Sequence, residues 1–188
     1  MTARPPRRPQ RADARRNRAH VLEVARAAFA SDGTALPMDE LARRAGVGVG
    51  TLYRHFPTKE ALLSAIVAER ITTVAAHARD LAHAADPGAA FFDLLRRMAR
   101  EGTDKRDLVD ALAGAGIDVR TSVAGPSRAL RTALIALLRR AQAAGSVRTD
   151  VTVDDILALL AALAFASRRG SARSLDVVLD GLRGSGST

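Results

Sequence analysis

Residues 37–57 of this 188-residue chain hold two short apolar patterns with a glycine between them and a proline at each end. Leu41 gives the first pattern a buried side, and Leu52 and Phe56, four residues apart, do the same for the second. Gly46 allows a tight turn between them. The segment therefore predicts two short helices joined at Gly46. Helices this short form only when neighbouring elements hold them.

The composition predicts an all-α fold. Hydrophobic residues make up 47% of the chain, which is enough to form a core. Aromatic residues make up only 3%, so this core must be aliphatic. Ala, Leu and Arg are good helix formers, and runs of β-branched residues are scarce. Apolar spacing and turn residues predict about nine helices, near residues 12–31, 37–45, 49–55, 58–85, 89–103, 106–113, 127–144, 153–168 and 172–182, with a loop or broken helix over 114–126.

Several classes of protein are excluded by what the chain contains. It has no cysteine, which excludes a disulfide scaffold, a thiolate metal site and a cysteine nucleophile. No nucleophile–base pair or phosphate loop is present, and His77 and His83 lack the spacing of metal ligands, so we expect neither an enzyme nor a cofactor or metal. The longest apolar run, Ile156–Ala166, is well short of the ~20 residues of a membrane span. With no signal-peptide pattern, a cytoplasmic protein without a membrane partner is expected.

The positive charge is concentrated at the N-terminus. The chain carries a formal net charge of +9, and residues 1–18 contain seven arginines against one aspartate, whereas residues 19–60 sum to zero. Three prolines favour an extended conformation for this arm. Basic arms of this kind contact the phosphates of nucleic acids, with Arg15 and Arg16 as candidates; the alternative is a solubilising tail.

The second short helix presents a compact outward set of residues. Because Leu52 and Phe56 take its buried side, six residues face outward or sideways: Val49, Gly50, Thr51, Tyr53, Arg54 and His55. A short helix with such a set suits insertion into a major groove, which is ~12 Å wide. The pattern is therefore typical of a helix-turn-helix that binds double-stranded DNA.

The run from Leu36 to Leu63 resembles the TetR/AcrR family of bacterial transcriptional regulators. Its most specific part is Gly-Thr-Leu-Tyr-Arg-His-Phe-Pro-x-Lys-Glu, which begins at Gly50, and the resemblance covers about Asn17–Val67. It implies an N-terminal three-helix DNA-binding domain followed by a helical ligand-binding and dimerisation bundle.

The resemblance also implies roles for individual residues. Tyr53 and His55 would mainly hold phosphates, and Lys59 would contact the DNA backbone from the start of the long helix. The bases would lie nearest to Val49, Gly50, Thr51 and Arg54. On the residues alone, other roles stay open: packing for Tyr53, a helix C-terminal cap for His55 and simple solvation for Lys59.

We expect five segments along the chain. Asp86-Pro87-Gly88 breaks the helical pattern and is the best domain boundary. The segments are a basic flexible arm (1–16), the helix-turn-helix domain (17–60), a connecting long helix (61–85), a ligand-binding and dimerisation domain (86–183) and a flexible tail (184–188).

The last two predicted helices carry apolar stripes that either complete the core or contact a second copy of the chain. The resemblance favours a homodimer through these helices. The candidate interface residues are Ile156, Leu160, Leu163, Leu175, Val178, Leu179 and Leu182. A two-fold dimer would present two helix-turn-helix domains, here called readers, to a palindromic operator. Its half-sites would lie ~34–36 Å apart or a multiple of that distance.

The resemblance further implies an effector pocket among the predicted helices of residues 58–144. Its candidate lining, each member of which could instead be a core residue, is Phe91, Phe92, Leu95, Met98, Leu108, Leu112, Leu134 and Leu138. The scarcity of polar groups favours a small apolar or weakly polar ligand. The leading hypothesis is a homodimeric repressor that such a ligand releases from its operator; the alternative is a constitutive DNA-binding dimer without an effector.

Overall fold

The computed structural model describes residues 8–114, 120–166 and 173–184, and side chains within 13–101, 123–164 and 173–184. The prediction of an all-α fold is confirmed, with eight helices in these residues rather than about nine. They are α1 (Arg8–Asp32), α2 (Met38–Arg44), α3 (Val49–His55), α4 (Lys59–Leu81), α5 (Pro87–Gly114), α6 (Arg120–Ala143), α7 (Val153–Ala166) and α8 (Arg173–Gly181). An isolated antiparallel bridge joins Val147 to Arg183.

Two helices in the second half are longer than predicted. α5 is continuous to Gly114, so the expected break near Thr103 is wrong. The glycine at this point, Gly102, costs a helix ~1 kcal/mol without ending it. α6 begins at Arg120 and contains Pro126, although a loop or broken helix was predicted up to that proline. Pro126 removes one hydrogen bond near the start of α6, and the rest of the helix tolerates this loss.

α1 also begins earlier than predicted, at Arg8, so residues 8–16 of the expected flexible arm are helical. Pro9 lies in the first turn, where a helix loses no internal hydrogen bond to a missing N–H. Residues 1–7 of the arm lie outside the described residues, as do residues 185–188 of the predicted tail.

The chain divides into two compact units, residues 1–66 and 67–188, with the division inside α4. In the first unit α1 packs on α2 and α2 on α3. Ser64 is buried in this unit. Its buried hydrophobic side chains include two phenylalanines and one methionine, and the rest are aliphatic: Val21, Leu22, Ala25, Ala28, Phe29, Met38, Leu41, Ala42, Ala45, Leu52, Phe56, Leu62, Leu63 and Ile66. The burial of Leu41, Leu52 and Phe56 agrees with the pattern predicted from their spacing.

The turn between α2 and α3 depends on a left-handed backbone at Gly46, whose φ is +62°. The N–H of Gly46 donates to the carbonyl of Arg43 at 3.2 Å, and that of Val47 donates to Ala42 at 3.0 Å. These bonds close the end of α2, as in the glycine-terminated helices of many proteins. The tight turn places α3 directly against α2.

Replacing Gly46 with alanine is expected to lower the free energy of unfolding of the first unit by ~1–2 kcal/mol, because an L-residue resists this φ. Gly50→Ala is the matched control. Both added methyl groups would meet open space, but Gly50 lies in the helical α3, where alanine is favoured by ~0.5–1 kcal/mol. Urea denaturation followed by circular dichroism measures both changes; equal effects of the same sign would contradict this account of the turn.

The second unit has its own core. α5 packs on α6 and α7, and α8 contacts α5 and α7. The buried cluster comprises Val74, Ala78, Ala90, Phe91, Phe92, Leu94, Leu95, Ala133, Leu134, Leu137, Leu138, Ala141, Val147, Val153, Ile156, Leu179 and Leu182. Phe91 and Phe92 meet edge to face with their ring centroids 5.5 Å apart.

Among the described helices, α4 alone is long and apolar enough to cross a membrane, by length and composition. Buried side chains occur along its length, from Leu62 to Ala78. Core helices of proteins outside membranes pass the same test, and packing within the protein accounts for the composition of α4.

Candidate DNA-binding site

α3 has one buried and one exposed side, as its sequence predicted. Leu52 and Phe56 are fully buried, and the N–H of Phe56 closes the helix by donating to the carbonyl of Leu52 at 2.9 Å. On the other side Val49 and Tyr53 are 41% and 43% exposed. Large apolar and aromatic residues this exposed on so short a helix mark a surface suited to contact with another molecule.

Arg54 lies along the exposed side of α3. Its Nε donates to the carbonyl of Gly50 at 3.2 Å, and its Nη2 donates to Oγ1 of Thr51 at 3.3 Å. Both bonds are long and exposed, so their loss costs little when the guanidinium group reaches for a different acceptor. The structure thus brings Gly50, Thr51 and Arg54 together, as predicted.

The remaining predicted phosphate-binding residues cluster around the end of α3 and the start of α4. His55 is half-buried, with its ring centroid 6.3 Å from that of Phe56. Nζ of Lys59 lies 5.9 Å from the ring centroid of Phe29, within the range of a cation–π contact. Thr58 caps α4, since its Oγ1 accepts the N–H of Ala61 at 3.1 Å.

The arginines of α2 serve the fold of the first unit. Glu40 accepts hydrogen bonds from Nε of Arg43 at 2.7 Å and Nε of Arg44 at 2.8 Å. These bonds lower the pKa of Glu40 from 4.5 to about 2, and the bond from Arg43 makes the largest contribution. Arg44 also pairs with Asp32 at the end of α1 and so ties the two helices together. Their charges are engaged within the protein, and α2 adds little free positive charge.

The structure places the predicted pocket residues in two different environments. Five of the eight lie in the solid core of the second unit: Phe91, Phe92, Leu95, Leu134 and Leu138. Met98 lines a half-open cleft of about 300 Å³ instead. Leu108 and Leu112 fall outside the described side chains.

The cleft is built mainly from apolar side chains of α4 to α7, among them Ile71, Met98, Leu130, Leu157, Leu160 and Ala161. Its charged groups are held in ion pairs. Glu101 accepts from Nε of Arg97 at 2.8 Å and lies 3.6 Å from Nε of Arg70. Arg131 makes a two-pronged pair with Asp154 at 2.5 and 2.7 Å. The cleft therefore offers an apolar wall with a few charged groups, the usual makeup of a small-molecule site.

The predicted interface residues also divide between two environments. Ile156, Leu179 and Leu182 are buried within the second unit and complete its core. Four others are half-buried: Leu160, Leu163, Leu175 and Val178. Two more residues on these helices are exposed but were not predicted from the sequence: Leu159 on α7 and Val177 on α8, which are 37% and 63% exposed.

Comparison with known proteins decides the family. Residues 21–66 match the family described as bacterial regulatory proteins of the tetR family, and residues 86–184 match the C-terminal domain of SbtR-like transcriptional regulators. The chain belongs to the TetR family. It is a DNA-binding transcriptional regulator, and the resemblance seen in the sequence is confirmed.

Solved structures extend the similarity over the whole TetR fold. A TetR regulatory protein of Mycobacterium vanbaalenii is 49% identical, with a TM-score of 0.77, over 93% of this chain and 99% of that one. A TetR regulator of Streptomyces coelicolor is 34% identical, with a TM-score of 0.72, over 89% and 99%. A γ-butyrolactone receptor (ArpA-like protein) is 28% identical, with a TM-score of 0.62, over 92% and 91%.

Among curated proteins, an HTH-type transcriptional regulator of Staphylococcus aureus (strain USA300) is 32% identical over 72 residues. That match covers 38% of this chain and spans 39% of the relative's length. The match supports the assignment of the DNA-binding domain and says nothing about the rest of the chain.

In this TetR-family DNA-binding domain, the two arginines predicted to contact phosphates have different surroundings. Arg15 and Arg16 are both exposed, but Arg16 forms an ion pair with Asp13. Arg18, which the sequence analysis did not name as a site residue, stacks its guanidinium group 5.2 Å from the ring centroid of Phe56. The signal for it was its position four residues before Leu22, on the buried side of α1.

The described residues contain no group of three or more His, Cys, Asp or Glu side chains placed to hold a metal ion.

Proposed function

We propose that the protein is a cytoplasmic homodimeric repressor that reads a palindromic operator and leaves it when a small ligand binds. The observation that carries the DNA-reading part is the exposed side of α3, held rigid by Leu52 and Phe56 in the core. A helix held rigid in this way loses little conformational entropy when it inserts into the major groove.

The proposed contacts divide into two sets. Tyr53, His55 and Lys59 hold phosphates and position the reader, whereas base edges are read from the exposed side of α3 by Val49, Gly50, Thr51 and Arg54. Arg54 is the one long hydrogen-bond donor in the second set, and an arginine pairs in two-pronged fashion with guanine. Arg15 and Arg16, both exposed on α1, are further proposed contacts to phosphates.

The proposed dimer interface is the outer surface of α7 and α8. Leu159 and Val177 are exposed there, next to the half-buried Leu163, Leu175 and Val178. A second copy would cover this apolar surface by two-fold symmetry, which places two readers on one operator. Ile156, Leu179 and Leu182 support the interface from within the core of the second unit.

The proposed effector site is the 300 Å³ cleft, of which Met98 is the one predicted lining residue. Its volume lies at the lower end of the range of small-molecule sites, ~300–1,000 Å³. The γ-butyrolactone receptor of similar fold is named for a small ligand, which supports a ligand-binding role for this half. α4 links the cleft to the reader through the continuous chain from Arg70 back to Lys59. A ligand acts by favouring the DNA-incompetent state.

Filling the cleft is expected to abolish the response to ligand and preserve operator binding. Ala161 lines the cleft on α7, and Ala161→Phe places a ring in it; Ala136→Phe on the exposed side of α6 is the matched control. Compounds that release the wild-type protein are first selected from a small-molecule library by fluorescence anisotropy of labelled operator DNA. Release of Ala161→Phe at wild-type concentrations would contradict the site, and a library that releases nothing would favour the constitutive alternative.

A further inference from the structure

The charged groups in the wall of the 300 Å³ cleft differ in how far they are exposed to water. The described residues that line the cleft include Arg70 on α4, Glu101 on α5 and Arg131 on α6. The side chain of Arg70 is 17% exposed, whereas that of Arg131 is 44% exposed. Charges attract each other more strongly where water is largely excluded. An anion inside the cleft would therefore gain more from Arg70 than from Arg131.

Arg70 shares the carboxylate of Glu101 with a second arginine. Nε of Arg97 donates to Oε1 of Glu101 at 2.8 Å, whereas Nε of Arg70 lies 3.6 Å from Oε2, beyond the length of a hydrogen bond. An anion that replaced Glu101 beside Arg70 would leave Glu101 its hydrogen bond from Arg97. Because Glu101 is partly exposed, water hydrates the oxygen that is released. The exchange therefore strands no buried charge.

Arg131 is held in a different way. Its Nη1 and Nη2 donate to the two oxygens of Asp154 at 2.5 and 2.7 Å. An anion that took this guanidinium group would have to break both charge-assisted hydrogen bonds. Arg131 therefore serves as the matched comparison for Arg70: the same residue type, in the wall of the same cleft, but already engaged through both of its Nη atoms.

Apolar residues of the cleft lie within one helical turn of Arg70 and Glu101. Val74 follows Arg70 by four residues on α4, and Met98 precedes Glu101 by three on α5, so each lies on the same side of its helix as the charged residue. Leucines and alanines of α6 and α7 supply the rest of the apolar wall. A molecule with an anionic group beside Arg70 would thus place its remaining atoms against apolar side chains.

We propose that the ligand of the cleft is a small carboxylic acid with an apolar body, whose carboxylate pairs with Arg70 in place of Glu101. The inference rests on the proposed function, which assigns the effector to this cleft. The planar carboxylate matches the donor geometry of a guanidinium group. The volume of about 300 Å³ limits the ligand to a small molecule. The pairing joins the ligand to α4, whose chain continues into the reader.

Carboxylic acids and their uncharged analogues test this ligand chemistry. The panel contains straight-chain and aromatic acids of about six to twelve carbon atoms, each with the primary amide and the primary amine of the same skeleton. Isothermal titration calorimetry on the full-length protein at neutral pH, where the acids are ionised, measures the affinities. We expect acids to bind about 10–100-fold more tightly than their amides, and amines to bind more weakly still. Amides that bind as tightly as their acids, or a panel without a binding acid, would overturn the proposal.

The matched variants Arg70→Gln and Arg131→Gln test which arginine holds the carboxylate. We expect Arg70→Gln to bring the ratio of acid to amide affinity to about one, with little change for the amides, and Arg131→Gln to keep the wild-type ratio. Arg70→Lys retains the charge without the planar donor pair and should retain part of the preference. Equal ratios for Arg70→Gln and Arg131→Gln, or a loss of preference in Arg131→Gln alone, would contradict the assignment.

A third variant keeps the test decisive if Arg70→Gln does not fold, which circular dichroism reveals. Glu101→Gln removes the carboxylate with which the ligand competes for Arg70. We expect this variant to bind acids several-fold more tightly than the wild type and amides about equally. The same change for acids and amides would overturn the exchange at Arg70.

Release of operator DNA by the same compounds separates the two proposals. If acids bind through Arg70 but do not release the operator, the effector role fails and the ligand chemistry stands. If the compounds that release the operator are uncharged and bind Arg70→Gln as tightly as the wild type, the carboxylate assignment fails and the effector role stands.

Discussion

The double substitution Leu159→Asp, Val177→Asp is expected to produce a folded monomer that binds a palindromic operator about 10²–10⁴-fold more weakly than the wild type. Both side chains are exposed in the isolated chain, so aspartate costs the monomer little. In the proposed dimer each would bury a carboxylate against apolar surface, which is strongly unfavourable. Loss of the dimer removes the second reader and with it the gain from simultaneous binding.

Analytical ultracentrifugation gives the oligomeric state of this variant, and fluorescence anisotropy with operator DNA gives its affinity. Ala136→Asp, an exposed alanine of α6, is the control for an added surface charge and should remain dimeric. A double variant that stays dimeric at micromolar concentration would place the interface elsewhere. A monomer with wild-type operator affinity would contradict the need for two readers.

Substitutions on α3 are expected to separate positioning from reading. Tyr53→Phe with His55→Ala should weaken binding to all DNA sequences alike, because phosphate contacts carry no sequence information. Arg54→Ala should instead change the preference between operators by about 10–100-fold at the affected base pair, the worth of a two-pronged contact of ~1–3 kcal/mol.

Binding of each variant to a panel of operators with single base-pair changes distinguishes the two effects. Arg43→Ala is a suitable control, because this arginine is also exposed but pairs with Glu40 on α2. A uniform loss of affinity for Arg54→Ala across the panel would show that Arg54 does not read bases. If the Tyr53→Phe, His55→Ala variant instead changed its preference between operators, Tyr53 and His55 would read bases, which would contradict their proposed role as phosphate contacts.

The reader was predictable because its signals are local. Leu52 and Phe56 lie four residues apart, Gly46 takes the left-handed conformation, and a proline follows Phe56, so spacing and turn chemistry fix α3. The ends of other helices have weaker signals. Breaks were predicted after Thr103 and up to Pro126, but α5 continues past Thr103 and α6 contains Pro126. A glycine costs a helix ~1 kcal/mol and an interior proline ~3 kcal/mol, and the packing of a helix of more than twenty residues offsets such a cost.

The second unit shows what periodicity leaves open. Phe91, Leu95 and Leu134 have the spacing of a buried helix side, but spacing does not distinguish a solid core from the wall of a cleft, and they lie in the core. The cleft wall combines Met98 with residues from three other helices that no local pattern brings together. Likewise Val177 lies outside the strongest apolar stripe of α8, and only its exposure marks it.

The central claim, that α3 reads a specific operator, is tested most directly by selection from a random duplex library. The purified full-length protein and its Arg54→Ala variant are each taken through successive rounds of binding and sequencing. We expect the wild type to enrich an inverted repeat, with half-sites one helical turn or a multiple apart, and Arg54→Ala to enrich a repeat relaxed at the same position in both halves. A wild-type protein that enriches no motif, or a variant that enriches an identical one, would contradict it.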